Sequence, residues 1–227
     1  MRWAAVAGLV GGLAACGNDT DGLQTVKMVR VAGSSLVGMA RPATPPAAEA
    51  ATPEAQAAAT AQAAAAALKA VSGPAILATI ETMGGAMPLG MVGDSNGVRT
   101  YATAAQQQLM LRGGLLAGTR GLGHDLMSSD TAAVGALIRG QRAGTAPRVQ
   151  RYLDGEWRER PLNLTCQVAP KGTISAGGVS GMQMAETCTG GGVTIQNSYV
   201  VSGGTILGSR QWVGPQIGHV SIQVLRP

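Results

Sequence analysis

Leu162-Asn-Leu-Thr-Cys-Gln-Val168 alternates apolar and polar side chains without a break. Leu162, Leu164, Cys166 and Val168 fall on one parity, and Asn163, Thr165 and Gln167 fall on the other. Successive side chains of a strand point to opposite faces, so a period of two predicts a strand with one buried and one wet face. The pattern returns further along the chain. Val193, Ile195, Tyr199 and Val201 share a face, and Val220, Ile222 and Val224 alternate with His219, Ser221 and Gln223. Asp94-Ser-Asn-Gly97 and Asp154-Gly155 are tight-turn signals, because Asn-Gly and Asp-Gly accept the positive φ that hairpins need. From Ala75 onward the expectation is therefore an antiparallel sheet curling around a core. One interruption is helical: Ala133, Val134, Leu137 and Ile138 recur at helical spacing within Asp130 to Arg142, behind Ser128-Ser129-Asp130 as caps. Roughly 150 residues in this region suffice for a single core.

Upstream of the sheet the texture differs. Arg2 is followed by an apolar run from Trp3 to Ala15 broken only by glycines. At roughly a dozen residues that run is too short to span a membrane as a helix and has the form of an export signal. It ends in Leu13-Ala14-Ala15-Cys16, which matches the lipobox of bacterial lipoproteins. There the thiol takes a diacylglycerol, the signal is cut before it, and the new amine is acylated. Two or more acyl chains give a stable anchor, so the expectation is a body tethered to a membrane rather than embedded in it. Gly17 follows the cysteine. Lipoproteins kept in the inner membrane commonly carry Asp there, and by that analogy the outer membrane is the expected destination.

Residues 1–15 thus form the expected signal peptide, 16–51 a lipid-anchored tether, 52–72 an alanine-rich helix and 73–227 the β-rich domain. The tether holds a short amphipathic piece around Leu23, Val26 and Val29, then Pro42, Pro45 and Pro46 in a Pro/Ala-rich spacer that cannot pack a core. Thr52-Pro53-Glu54 supplies an N-cap, a proline at the first helical position and an acid in the first turn. The alanine run continues to Lys69 and stops at Ser72-Gly73-Pro74. Alanine makes this helix easy to form but leaves it little to bury, so it is expected to pack on the body.

With 17 basic and 12 acidic residues the chain is mildly cationic, at a net charge of +5. The charges are dispersed, aromatics make up only 3% and Phe is absent, so the basic groove with stacking platforms of single-strand nucleic-acid binders is missing. The two histidines, His124 and His219, lie far apart in the sequence, so an HExxH metal cluster is absent, and no cofactor is implied. Gly118-Thr-Arg-Gly121-Leu-Gly123 lacks the Lys-Ser/Thr of a phosphate loop. His124-Asp125 beside Ser128 and Ser129 resembles part of a triad only superficially, because adjacent residues rarely orient one another as a triad requires, and a structural turn is expected. Once Cys16 is given to lipid, Cys166 and Cys188 remain, both on the apolar parity of neighbouring strand candidates. In an oxidising exported compartment a disulfide is the natural expectation, beside two separate buried thiols or a metal site short of ligands.

Several blocks in order carry a family resemblance: Thr119-Arg-Gly-Leu-Gly-His-Asp-Leu-Met-Ser-Ser-Asp130, Arg151-Tyr-Leu-Asp-Gly155, Cys166 with Cys188, Asn197-Ser-Tyr-Val-Val201, Ser209-Arg-Gln-Trp-Val-Gly-Pro215 and Gly218-His-Val-Ser-Ile-Gln223. From about Ala75 to the end the chain resembles the YjbF/GfcB family of group 4 capsule polysaccharide lipoproteins. The resemblance implies a mainly β fold, an open antiparallel meander bent into a half-barrel with one or two packed helices. It also implies a place in a cluster that makes and exports exopolysaccharide or capsule, with an outer-membrane barrel and periplasmic proteins as partners and polysaccharide itself as a further one. No catalytic residues come with it, so an enzyme is not expected. Within the blocks Arg120, His124, Asp125, Arg210 and Trp212 are candidate structural or interaction residues. Two alternatives stay open. A carrier of lipid or lipoprotein would need an apolar pocket inside the sheet. A polysaccharide hydrolase would need two carboxylates about 5 to 10 Å apart across a cleft.

Overall fold

The structure is a computed structural model that describes residues 53–176 and 178–227. Cys16, the signal, the Leu23/Val26/Val29 piece and the proline-rich spacer lie outside the described residues. In chain order the elements are α1 (Pro53–Ala70), β1 (Ala75–Ile80), β2 (Ala86–Ser95), β3 (Val98–Ala102), β4 (Gln108–Arg112), β5 (Leu115–Arg120), β6 (Ser128–Asp130), α2 (Ala132–Arg139), β7 (Gly144–Leu153), β8 (Glu159–Ala176), β9 (Val179–Gly190), β10 (Val193–Ser202), β11 (Thr205–Gly214) and β12 (Gly218–Arg226). Every strand pairs antiparallel with its neighbours, and β12 pairs back onto β1. The resulting order, β5-β4-β3-β2-β1-β12-β11-β10-β9-β8-β7-β6, is one meander of twelve strands among the described residues. The sheet is mainly-β architecture nearly closed into a barrel, with one seam between β5 and β6.

The period-two segments lie where alternation places them except at the start of β10, where Val193 is exposed. Leu164, Cys166 and Val168 of β8, Ile195, Tyr199 and Val201 of β10, and Val220 and Ile222 of β12 are buried, while their neighbours of opposite parity are exposed or partly so. Two apolar clusters fill the inside. One gathers Ile76, Ile80, Leu89, Leu109, Val213 and Val220 with others from β1–β5, β11 and β12. The second gathers Leu115, Ile138, Leu164, Met184, Ile195 and Val201 with others from α2 and β7–β11. Strand β5 runs between them: Leu116 belongs to the first and Leu115 to the second, both fully buried.

An edge strand with both faces covered must still satisfy its free backbone groups. Buried side chains do this for β5. Leu116 N–H donates to Gln211 Oε1 at 2.8 Å, Gln211 Nε2 donates to Gly114 O at 3.0 Å, and Arg148 reaches Leu116 O at 3.5 Å.

Two local expectations need correction. Ser128 and Ser129 do not cap α2 but form the short β6, paired with Gln150 and Arg151 of β7. The N-cap is Thr131, without a side-chain cap bond, and only Asp130 contributes, accepting the Ala132 N–H at 3.2 Å. In the β7–β8 turn the positive φ falls on Trp157, at 61°, rather than on Gly155. Asp154 folds this turn by accepting the backbone N–H groups of Glu156 and Arg158, both at 2.9 Å. The Asn96-Gly97 turn does follow the hairpin rule, with φ of 50° and 73°.

Helix α1 touches β1, β2 and β12, yet most of its described side chains stay exposed. Its C-terminus is held by Arg226 at the end of the last strand, which donates to the carbonyls of Leu68, Val71 and Gly73 at 2.8 to 3.0 Å. A cation there satisfies orphan carbonyls and opposes the negative end of the helix dipole.

Candidate functional site

The predicted residues separate into three places. Arg120, His124 and Asp125 form the turn that bridges the seam. The Asp125 carboxylate accepts the Thr119 hydroxyl at 2.7 Å, the Gly121 N–H at 2.9 Å and the Leu122 N–H at 3.2 Å, while the Leu126 N–H donates to Thr119 Oγ1 at 3.0 Å. Arg120 turns its guanidinium back on the carbonyls of Thr119, Leu126 and Met127. His124 is exposed. With its carboxylate saturated by the turn's own donors, Asp125 ties the last residues of β5 to the approach to β6.

Trp212 lies elsewhere, partly buried against the second cluster, edge-on to Tyr152 with ring centroids 6.1 Å apart. Tyr152 in turn donates to Val213 O at 2.7 Å and so holds β7 to β11. Burial raises the pKa of Tyr152, which keeps the hydroxyl a donor. Arg210 is on the outer face. Its Nε and NH2 both donate to Glu81 Oε1, and the second carboxylate oxygen accepts the His219 N–H at 3.2 Å. The hydrogen bonds from Arg210 chiefly lower the Glu81 pKa.

Cys166 and Cys188 are direct cross-strand partners on β8 and β9 and are joined as a disulfide. Beside it lies a group that alternation alone did not expose. Glu186 and Arg148 are both fully buried, with NH1 of Arg148 2.9 and 3.1 Å from the two carboxylate oxygens. Tyr199 OH donates to the same carboxylate at 2.6 Å, Asn197 Nδ2 at 2.8 Å, and Arg148 Nε donates to Ser129 Oγ at 3.1 Å. Burial is the largest single influence and works against the Arg148 cation, but the Glu186 charge together with Tyr199 and their hydrogen bonds overcomes it and the pKa of Arg148 is raised. Burial, and after it the Glu186 charge, pushes the Tyr199 hydroxyl well above an ordinary tyrosine. Both therefore remain donors. Cys166, Glu186 and Cys188 could be arranged as metal ligands, but both sulfurs are spent in the bond and Glu186 is neutralised by Arg148, so the group does not fit a cation. The signal for this network was a charge on the buried parity: Glu186 stands between Met184 and Cys188, and Arg148 between Ala146 and Gln150.

The outer face of β9–β11 carries two adjoining cavities of about 200 and 330 Å³. They share Ser198 and Arg210, so they form one groove. Ile174, Val179 and Gly208 line its first part, and Lys171, Ala185, Thr187 and Gln196 its second.

Among known proteins, the model of the family described as "Group 4 capsule polysaccharide lipoprotein gfcB, YjbF" matches residues 48–225. No curated protein matches. The fold is similar to the crystal structure of the hypothetical lipoprotein YmcC from Escherichia coli, with a TM-score of 0.60 at 16% identity over 73% of this chain and 89% of that one. With the family model spanning the helix and the whole sheet, the chain belongs to the YjbF family of group 4 capsule polysaccharide lipoproteins.

Proposed function

We propose that this protein is an outer-membrane lipoprotein, facing the periplasm, that acts without catalysis as an accessory factor in the assembly or secretion of exopolysaccharide or capsule. The observation that carries this is the family match over residues 48–225. Supporting it, Leu13-Ala14-Ala15-Cys16 has the lipobox pattern, and none of the described helices is long and apolar enough to cross a membrane. Residues 1–15 are the signal, Cys16 the lipid attachment point, and 16–51 the tether that lets residues 73–227 stand off the surface to meet an outer-membrane barrel and periplasmic proteins of the export cluster. Two facts weigh against the alternatives. Apolar clusters and a paired polar layer pack the inward face where a carrier would hold its cargo. The carboxylates of Glu81, Asp125, Asp154 and Glu186 are each engaged by cations, backbone amides or hydroxyls that serve the fold, rather than poised as a hydrolase pair.

The test is Cys16→Ala. The variant keeps its disulfide and melting behaviour, is recovered free in the periplasm or uncleaved at the inner membrane, and polysaccharide output falls because the local concentration at the partner falls. Continued fractionation with the outer membrane together with unchanged output refutes the anchored role.

A further inference from the structure

The groove on the outer face of β9–β11 is built rather than incidental. In β8 the pairing with β9 shifts register between Pro170 and Gly172, and Gly172 takes a φ of 118°. A bulge bends its strand and sharpens the local twist, so the far end of the β8–β9 hairpin leaves the plane of the sheet. It leans over β11: a Cβ placed on Gly208 would lie 3.3 Å from Val179 Cγ2. A second register shift, between Val200 and Val201, lies beside it in β10. The hairpin thus makes one wall, with Lys171, Ile174 and Val179, and Arg210 stands on the opposite side.

The floor is made of small side chains. Ala185 and Ser198 are cross-strand partners, Ser198 pairs onward with Arg210, and Gly208 lies one row along. Glu186 and Asn197 border the groove with their side chains committed to the buried network. What remains open are hydroxyl and amide groups of Thr187, Gln196 and Ser198 between two cations, Lys171 and Arg210. Arg210 is oriented by Glu81, and the His219 ring is fixed 2.9 Å from Gln196 O, so the groove's edge is held in place before any ligand arrives.

We infer that this groove binds a linear acidic oligosaccharide, its carboxylates meeting Lys171 and Arg210 and its hydroxyls meeting Thr187, Gln196 and Ser198; this deepens the proposed role in polysaccharide assembly and rests on it. Three features fit the class. The two cavities, of about 200 and 330 Å³, adjoin at Ser198 and Arg210 and so offer room for linked sugar units rather than for one small molecule. The groove offers many neutral hydrogen-bonding groups, as a polyol requires. Lys171 and Arg210, the latter sharing its charge with Glu81, flank the hydroxyl and amide groups of Thr187, Gln196 and Ser198, so an anionic sugar gains charge-assisted hydrogen bonds that a neutral one does not.

The experiment uses the acylated full chain in detergent micelles, titrated calorimetrically with polygalacturonate oligomers and with dextran oligomers. The expected result is binding of polygalacturonate that weakens with added salt, and at least tenfold weaker binding of dextran. Lys171→Glu reverses one cation, and Ser198→Trp fills the waist shared by the two cavities. Both positions face outward and leave the cores untouched, and each variant is expected to weaken polygalacturonate binding at least tenfold with an unchanged melting temperature. Equal affinity of both variants and wild type, or equal binding of dextran, overturns the inference. Deletion of the gene is read in parallel. If deletion abolishes polysaccharide output while polygalacturonate does not bind, the groove is refuted and the assembly role stands. If binding depends on the groove while output survives deletion, the groove stands and the assembly role is refuted.

Discussion

The core over β1–β5 and β12 is closed by Ile76, Ile80, Leu89, Leu109 and their apolar neighbours, whereas the core over β7–β11 contains a disulfide and a buried arginine–glutamate pair among its aliphatics. Both belong to one continuous sheet. They differ in how they tolerate loss. Aliphatic contacts are many and individually weak, so a deletion there costs in proportion to the volume removed. The Arg148–Glu186 pair is different in kind, since each charge is tolerable in the interior only because the other, with Asn197, Tyr199 and Ser129, is present. The aliphatic half fills space, and the polar half adds charges and donors that must find one another across β7, β9 and β10.

The largest expected effect breaks that comparison directly. Glu186→Leu strands the Arg148 guanidinium in the interior and should cost about 3 to 5 kcal/mol in urea unfolding. Combining it with Arg148→Met should recover part of that loss, because the stranded cation is gone while the buried Asn197 amide and Tyr199 hydroxyl still lack their acceptor. In the other half, Leu89→Ala should cost about 3 kcal/mol with no second substitution to rescue it. If the double variant in the polar half is as unstable as the single one, the pair is not the closed unit described here.

The disulfide comes next. It closes a separation of 22 residues between paired strands, and replacing both cysteines by alanine should cost about 3 kcal/mol in the chain-entropy account. Circular dichroism of the folded variant should match the wild type, since Cys166 and Cys188 are already cross-strand partners through the β8–β9 ladder. A variant that loses its sheet signal would mean the bond specifies the pairing rather than reinforcing it.

How far each half was legible in the sequence follows from the same contrast. Leu162, Leu164, Cys166 and Val168 announce a strand because one face of the sheet is wet and the alternation is local. Cys166 and Cys188 could be matched because both sit on the apolar parity. Glu186 and Arg148 sit on that parity too, but the partner that makes each of them acceptable lies 38 residues away, and nothing local gives that distance. Ser128-Ser129-Asp130 was misleading for the opposite reason. Small polar residues ahead of an apolar periodic run carry the signature of a helix start, yet here a three-residue strand paired with β7 outcompetes the cap. The groove was illegible because it depends on register shifts in β8 and β10 and on Glu81 arriving from more than a hundred residues upstream.

The seam gives a smaller effect. Asp125→Ala leaves the N–H groups of Gly121 and Leu122 and the Thr119 hydroxyl without their acceptor in a partly exposed turn, and should cost about 1 to 2 kcal/mol. Amide exchange should accelerate first at Leu126 and along β5. His124→Ala, one residue away and exposed, should stay within about 0.5 kcal/mol of wild type with polysaccharide output unchanged. Lost output from a folded, normally abundant His124→Ala protein would give that turn a role beyond closing the seam.

The smallest effect sets the exposed arginine–glutamate pair against the buried one. Glu81 bonds to Arg210 as Glu186 bonds to Arg148, but nearly half of each side chain is in water. Solvent screens such a pair, so Glu81→Gln at pH 7 should cost about 0.5 kcal/mol, a fraction of the loss at Glu186. The sign with pH is fixed by the lowered Glu81 pKa. A carboxylate whose pKa falls on folding contributes stability that is complete above the ordinary glutamate range and disappears as pH falls through the folded-state value. The difference between wild type and Glu81→Gln in urea unfolding should therefore be present at pH 7, shrink in 1 M salt and fade as pH falls below the ordinary glutamate range through the folded-state value. A difference that does not change with pH or with salt would show that Glu81 acts through packing or through the hydrogen bond to the His219 N–H, and would detach the ordering of Arg210 from its charge.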